Sequence, residues 1–378
     1  MTPTRTIPFR AGPPVPPPPP AYTVADTLAA LSAAIPPELV DARALRTVLA
    51  TAAHLPAALT SWLYLETRLD RDGGPVDGIY GVEGAARDIL AGTNPAIRLP
   101  EALLGREEWL HVQALAGRWA DPASPLHRAI ERVWLEYDAP GEGVTVFGAP
   151  VPVVFVDFAA AAYAPERSVD ERTVTTSTAL APLFGGGLPS PLAAGLRRCM
   201  DALPPRAAVP YAGVLLSRGG DAVRLCVRGL RPGAVPGFLA RAGWTGDGAE
   251  LADRLAWLAE MRDQAATAHP ANVHLDVSAD GVLPAVGLEY TFERPGQARG
   301  VLRETAFLDR LVDAGLCTPT KHAGMLRWPG HTVQRFAHQL WRSVAVRRLN
   351  HVKAVHHPGA DLLVKAYASV HLAYHPRA

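Results

Sequence analysis

The side chains in this sequence best suited to chemistry are ionisable groups that recur at every second position of short alternating segments. Arg224 and Arg228 alternate with Val223, Leu225 and Val227. Lys365 and Tyr367 alternate with Val364, Ala366 and Ala368, and Lys353 and His351 lie in the segment just before them. His274 and Asp276 alternate with Val273, Leu275 and Val277. Glu66 and Arg68 share a face with Trp62 and Tyr64, opposite Leu63, Leu65, Thr67 and Leu69. A Leu-Glu pair recurs at Leu65-Glu66, Leu135-Glu136 and Leu288-Glu289. Guanidinium groups grip phosphate-type oxygens two at a time, and an ammonium adds a point charge. A carboxylate beside them can orient a nucleophile and take up its proton. Each group could equally be half of an ion pair on a solvated surface.

The pattern excludes several other chemistries. The chain holds no GxSxG, HExxH or Walker loop, and no GxGxxG followed by an acidic residue. Gly185-Gly186-Gly187 lacks a following Lys-Ser/Thr and reads as a loop. Cys199, Cys226 and Cys317 are too few and too scattered for a disulfide framework or a zinc cage. No metal ligand set is expected, and His356-His357-Pro358-Gly359 reads as a turn. The 378 residues are 48% hydrophobic and 19% charged, with a net charge of +1, so nothing invites a nucleic acid. No apolar run is long enough for a membrane span and no secretory signal is evident, so a reducing cytoplasm is expected.

These residues need strands to position them, and five strand pairs can be read. They are Ser61 to Leu69 with Pro75 to Val82, Arg132 to Asp138 with Pro150 to Phe158, and Tyr211 to Ser217 with Ala222 to Gly229. Asn272 to Ser278 pairs with Leu283 to Glu293, and Arg348 to His356 with Leu362 to Leu372. Glycine-containing turns join them. Helical spacing fills the intervals, at Thr23 to Ala53, Arg106 to Ala120, Thr175 to Ala202, Val235 to Ala242, Ala249 to Thr267, Leu302 to Ala314 and His331 to Val344. The fold class is therefore α+β, built from five helix–hairpin repeats. Residues 1–22, with Pro16 to Pro20, form a proline-rich tail expected to be extended or disordered. Residues 23–378 form a single repeat-built domain.

Two architectures fit amphipathic hairpins. One is an open antiparallel sheet with helices on one face and solvent on the other. The other closes the ten strands into an antiparallel barrel ringed by helices, which removes unpaired edges and gathers the polar faces in a lumen.

The second architecture resembles the ABBA aromatic prenyltransferases, the prenyltransferase-barrel family. The resemblance runs over roughly residues 24 to 374. The stretch Gly213 to Trp244, where Val223-Arg224-Leu225-Cys226-Val227-Arg228 leads into Val235 to Ala242, looks most like the peptide-modifying, cyanobactin-type branch. Insertions near Gly143 and near Cys317-Thr318-Pro319 have no counterpart in it. The resemblance implies transfer of a prenyl group from an allylic diphosphate to an aromatic small molecule or peptide in natural-product biosynthesis. It implies that Arg68, Arg224, Arg228, Lys353, Lys365 and Tyr367 bind substrate; His274, an acid–base pair with Asp276 on one strand face, is a further substrate-binding candidate from the residues themselves. The resemblance places the acidic residue at Glu66, with Glu136 and Glu289 as alternatives. No cofactor is implied; Mg2+ is left open, without an aspartate-rich DDxxD-type motif to support it. The expected partners are a prenyl diphosphate and an aromatic acceptor. The competing readings are a non-catalytic binding module of such a pathway, or a barrel enzyme with different chemistry.

Overall fold

The computed structural model describes residues 22–139, 148–164, 166–263, 271–292, 294, 296–336 and 342–374. The proline run Pro16 to Pro20, Pro140, Gly141, Gly143 and the strand end at Glu293 lie outside these residues.

Strand formation follows the period-two pattern. The strands are β1 (Trp62–Arg68), β2 (Val76–Glu83), β3 (Ile130–Tyr137), β4 (Val153–Phe158), β5 (Ala208–Val214) and β6 (Ala222–Leu230). They continue with β7 (Ala271–Ser278), β8 (Gly281–Thr291), β9 (Gly330–Gln334), β10 (Ser343–His356) and β11 (Leu363–Tyr374). Along β6, Val223, Leu225 and Val227 are fully buried in the main hydrophobic core, under the helices. Arg224 and Cys226 alternate with them and point the other way, as side chains on a strand must. Gly73 and Gly74 in the first turn have φ of 69° and 87°, a region that glycine enters without a Cβ clash.

Closure decides between the two architectures. The strands pair antiparallel in the order β1 to β8, then β10, then β11, and β11 returns to β1 with Glu66 opposite Tyr367. Ten strands thus form a closed ring and the open sheet is overturned. An eleventh strand, β9, was not anticipated. It pairs with the first half of β10 (Ser343 to Arg347), while β8 pairs with the second half (His351 to His356). A register shift between Leu349 and His351 separates the halves. There the buried Gln297 amide accepts from the Leu349 N–H at 2.8 Å and donates to its carbonyl at 3.1 Å. The change of partner strand therefore leaves no orphaned peptide at Leu349.

Helices pack on the outer face of the ring. Glu107–Ala120 and Val235–Ala242 form where expected. Ser190–Asp201 lies so close to β7 that a Cβ on Gly195 would sit 2.8 Å from Val277. The long helix expected over Thr23 to Ala53 is two, Val24–Leu31 and Ala42–Ala52. Pro36 and Pro37 lie between them, and proline cannot continue a helix. His331 to Val344, read as helical, holds strand β9 instead. The insertion after Cys317 forms a helix, Pro319–Arg327. Its Lys321 is 1% exposed and donates to the Leu39 carbonyl at 2.7 Å and to Thr67 Oγ1 at 3.0 Å, tying that helix to β1. Among the described residues, no helix is long and apolar enough to cross a membrane.

Candidate active site

Register alone fixes which side chains share the lumen, because directly paired residues point the same way. Glu66 lies opposite Asp77 on β2 and Tyr367 on β11. Ile79 lies opposite Glu136, Gly213 opposite Arg224, and Arg224 opposite Asp276. Asn272 lies opposite Glu289, Glu289 opposite Lys353, and Lys353 opposite Lys365. All three glutamates of the Leu-Glu echo face inward, and their leucines Leu65, Leu135 and Leu288 face the core.

Two clusters result. The first holds Glu66, Lys365, Lys353, Tyr367, Asp77, Glu136, Arg224 and Asp276. Lys365 Nζ is hydrogen-bonded to Glu66 Oε1. Arg224 grips Asp276 through Nε at 2.6 Å and Nη2 at 2.8 Å. Arg218, outside the strands, bonds both Asp138 and Glu136, the latter at 3.4 Å. Lys353 differs: among the described residues it has no carboxylate within salt-bridge distance, and its Nζ lies 4.9 Å from the centre of the Tyr367 ring. Tyr367 is stacked on His351 at 3.9 Å.

The charges of this cluster are strongly coupled. Burial works against the ionised Glu66, yet Lys365 and Lys353 outweigh it and hold the carboxyl well below the usual range. Burial pushes Asp77 up to about 8, and the Glu66 charge adds to that rise. Glu136 is raised for the same two reasons. Lys353 is lowered, first by burial and then by Arg224 and Lys365, while Glu66 and Glu136 act in the opposite sense.

Asp77 makes a pH prediction. Its folded value lies above the ordinary 3.8, so between these values the folded protein holds a proton that the unfolded chain has lost. Its contribution to stability is present below that lower value and drains away as pH rises to about 8. Asp77→Asn should therefore raise Tm at pH 8 and leave it nearly unchanged at pH 4. Thermal melts at the two pH values check this, and an equal offset at both would refute it.

The second cluster lies on β5 to β8. Tyr211 donates to Glu289 Oε2 at 2.9 Å and lies 3.2 Å from His274 Nε2. His274 Nε2 is 2.9 Å from the same oxygen, and Asn272 Nδ2 donates to Glu289 Oε1 at 2.8 Å. Burial lowers the His274 pKa, against the neighbouring Glu289 carboxylate, which raises it. Aromatic rings fill the wall nearby. Tyr64 meets Trp134 edge-on at 5.2 Å, and Phe155 meets Tyr211 edge-on at 6.1 Å. Gly213 is required here, since a Cβ would stand 2.3 Å from the Phe155 ring and 2.6 Å from the Val154 carbonyl.

The expected site residues therefore separate. Glu66, Glu136, Arg224, Lys353, Lys365 and Tyr367 meet in the first cluster, and Glu289 and His274 in the second. Arg68 stands apart, bound twice to Asp70 at 2.9 and 2.6 Å. Arg228 is exposed; it is four residues or about 13 Å along the strand from Arg224. Its Nε reaches the Asn272 side-chain oxygen at 3.3 Å. Asp77, Tyr211, Asn272 and Arg218 were missed. In β2, Asp77 alternates with Ile79 and Gly81, so no polar face shows in the sequence.

By sequence the chain matches no protein-family model and no curated protein. By structure it is similar to prenyltransferase PriB in its apo form, at 16% identity and a TM-score of 0.52, over 94% of this chain and 99% of that one. It is also similar to 5-dimethylallyltryptophan synthase from Streptomyces coelicolor, at 15% identity and a TM-score of 0.47, over 92% and 97%. AnaPT from Neosartorya fischeri follows at 10% identity and 0.42, over 84% and 79%. At such identities the likeness is one of fold. This chain has the ABBA, or prenyltransferase-barrel, fold.

Proposed function

We propose that the protein transfers a prenyl group from an allylic diphosphate to an aromatic ring inside its barrel. The observation that carries this reading is Lys353. It is a buried lysine with no carboxylate within salt-bridge distance among the described residues, held over the Tyr367 ring beside Arg224 and Lys365 and balanced only at longer range by Glu66 and Glu136. A buried cation in this state is costly unless an anion completes it. A diphosphate would do so. Arg224 spends Nε and Nη2 on Asp276 and keeps Nη1 for a further acceptor. Lys365 likewise has donors beyond its bond to Glu66.

The transfer breaks the allylic C–O bond, releases diphosphate and forms a bond to the ring, which then loses a proton. The rings of Tyr64 and Tyr211 suit the allylic cation, since aromatic rings attract cations and exclude water. Glu66, kept ionised by its lysines, is the group to orient the acceptor and receive the proton. The acceptor is a small aromatic molecule or the side chain of a peptide. The likeness in fold to a prenyltransferase supports this reading.

The test is incubation with dimethylallyl or geranyl diphosphate and a panel of indoles, phenols and Trp- or Tyr-containing peptides, read by mass spectrometry. Mass gain of one prenyl unit is expected. Donor binding without mass gain on any acceptor would favour a binding module. Neither binding nor mass gain would sink the reading.

A further inference from the structure

Three adjacent strands, β6, β7 and β8, bring Cys226, His274 and Glu289 together in the lumen wall. Their sulfur, nitrogen and oxygen atoms all lie within 4.8 Å of one another, and all three residues are buried. We propose that Cys226, His274 and Glu289 form a binding site for zinc.

The donor set chooses the metal class. A thiolate, an imidazole and a carboxylate together suit zinc, which accepts S, N and O ligands in a tetrahedron. Magnesium and calcium require oxygen donors, and copper(I) favours sulfur throughout. Bonds of about 2.0–2.3 Å from a central zinc place such donors roughly 3–4 Å apart. His274 Nε2 and Glu289 Oε2 stand 2.9 Å apart and every pair of the trio lies within 4.8 Å, so a small inward movement of the side chains would close them around an ion. The surroundings hold the ligands in place. Asn272 occupies Glu289 Oε1 at 2.8 Å, which turns Oε2 toward His274. Tyr211 Oη stands 2.9 Å from that Oε2 and 3.2 Å from His274 Nε2, so it offers either a fourth ligand or a hydrogen bond to one. Opposite His274 is Gly287, where a Cβ would crowd the histidine Cβ at 3.0 Å and Lys353 at 3.2 Å.

Charge balance supports the same assignment. Cys226 is fully buried, so a charge on its sulfur needs a counter-charge at hand. On binding, the S–H bond breaks, an S–Zn bond forms and one proton leaves to buffer. His274 binds through Nε2 as a neutral ring with its proton on Nδ1. One thiolate and one carboxylate then neutralise Zn2+, which is what a buried ion requires. The site has no spacing motif, because 48 and 15 residues separate its members (by subtraction from 226, 274 and 289).

Cobalt(II) reports on such a site independently of any prenyl transfer. The full chain, stripped with a chelator and dialysed, is titrated with Co2+. One equivalent should give visible bands of tetrahedral intensity and a near-ultraviolet thiolate-to-cobalt band, both abolished by Zn2+. The chain has three cysteines, so the Cys199→Ser/Cys317→Ser variant leaves Cys226 as its sole thiol and should keep the band. Cys226→Ser should lose it, and Asn272→Ala should weaken binding by about 10- to 100-fold. No thiolate band in the folded wild type overturns the proposal. So does its loss in a folded Cys199→Ser/Cys317→Ser variant, or its survival in Cys226→Ser. If Cys226→Ser fails to fold, the first two measurements still decide. Zinc binding without prenyl transfer would leave this site intact and remove only the function proposed above.

Discussion

Lys353→Met is expected to make the protein more stable and worse at binding its donor. The ammonium is buried, with only 8% of the residue exposed; Arg224 and Lys365 oppose its charge, and Glu66 and Glu136 favour it without reaching salt-bridge distance among the described residues. Removing a buried charge that lacks a close partner, and filling its volume with a thioether, should stabilise the fold by on the order of 1–4 kcal/mol. Methionine keeps the contact with Tyr367 through its soft sulfur. A diphosphate would lose one charge-assisted contact worth about 1.5–3 kcal/mol, so its affinity should fall roughly 10- to 100-fold. Thermal melts and calorimetric titration with dimethylallyl diphosphate measure the two effects on one preparation. The opposed signs are the diagnostic. A lysine that merely braces the barrel would lower Tm when removed, and that result would discard Lys353 as the donor anchor.

How far the sequence reached follows from which interactions are local. Period-two alternation is written into five or six consecutive residues, so the lumen faces of β6, β7 and β11 could be read directly. Arg224, Glu66 and Lys365 are inside the ring as that pattern requires. Closure was different. It rests on β11 returning to β1, a pairing of Tyr367 with Glu66 across some 300 positions, and nothing local encodes it. The segment His331 to Val344 shows how tertiary context overrides a local signal. Val333 has helical spacing to its neighbours, but the exposed half of β10 needed a partner strand, and β9 took that place. Edge satisfaction outweighed propensity there.

The charges were legible as residues and illegible as pairs. Arg224 could be placed on a polar face, but its bidentate grip on Asp276 depends on the register of β6 against β7. Arg68 and Arg228 have the same alternation as Glu66 and Arg224, yet they sit near strand ends, where one finds Asp70 and the other is exposed. Alternation reports the face of a strand and says nothing about depth in the barrel. Depth comes from the stagger of ten strands, and only depth separates a solvated arginine from one that a substrate can meet.

Glu66→Gln should lower kcat by about 10²- to 10⁴-fold while leaving the barrel folded, because it removes the proposed proton acceptor and keeps its shape. The fold should tolerate the change through Asp77. Asp77 is protonated in the wild type by burial and by the charge of Glu66 opposite it. With Glu66 neutralised, one of those two causes disappears, the Asp77 pKa falls, and its new carboxylate can balance Lys365, whose charge already favours it. The variant should therefore show a weaker dependence of stability on pH in the window below about 8 than the wild type. Donor affinity should change little, since Lys353, Arg224 and Lys365 all remain. Single-turnover rates with a responsive acceptor and melts across pH give both readouts. A kcat within about threefold of wild type would move the acid–base role to Glu136 or Glu289. An unchanged pH profile of stability would show that Glu66 and Asp77 are not coupled across the β1–β2 pair. The two outcomes separate because one reads the proton leaving the ring and the other reads the proton shared by the barrel wall.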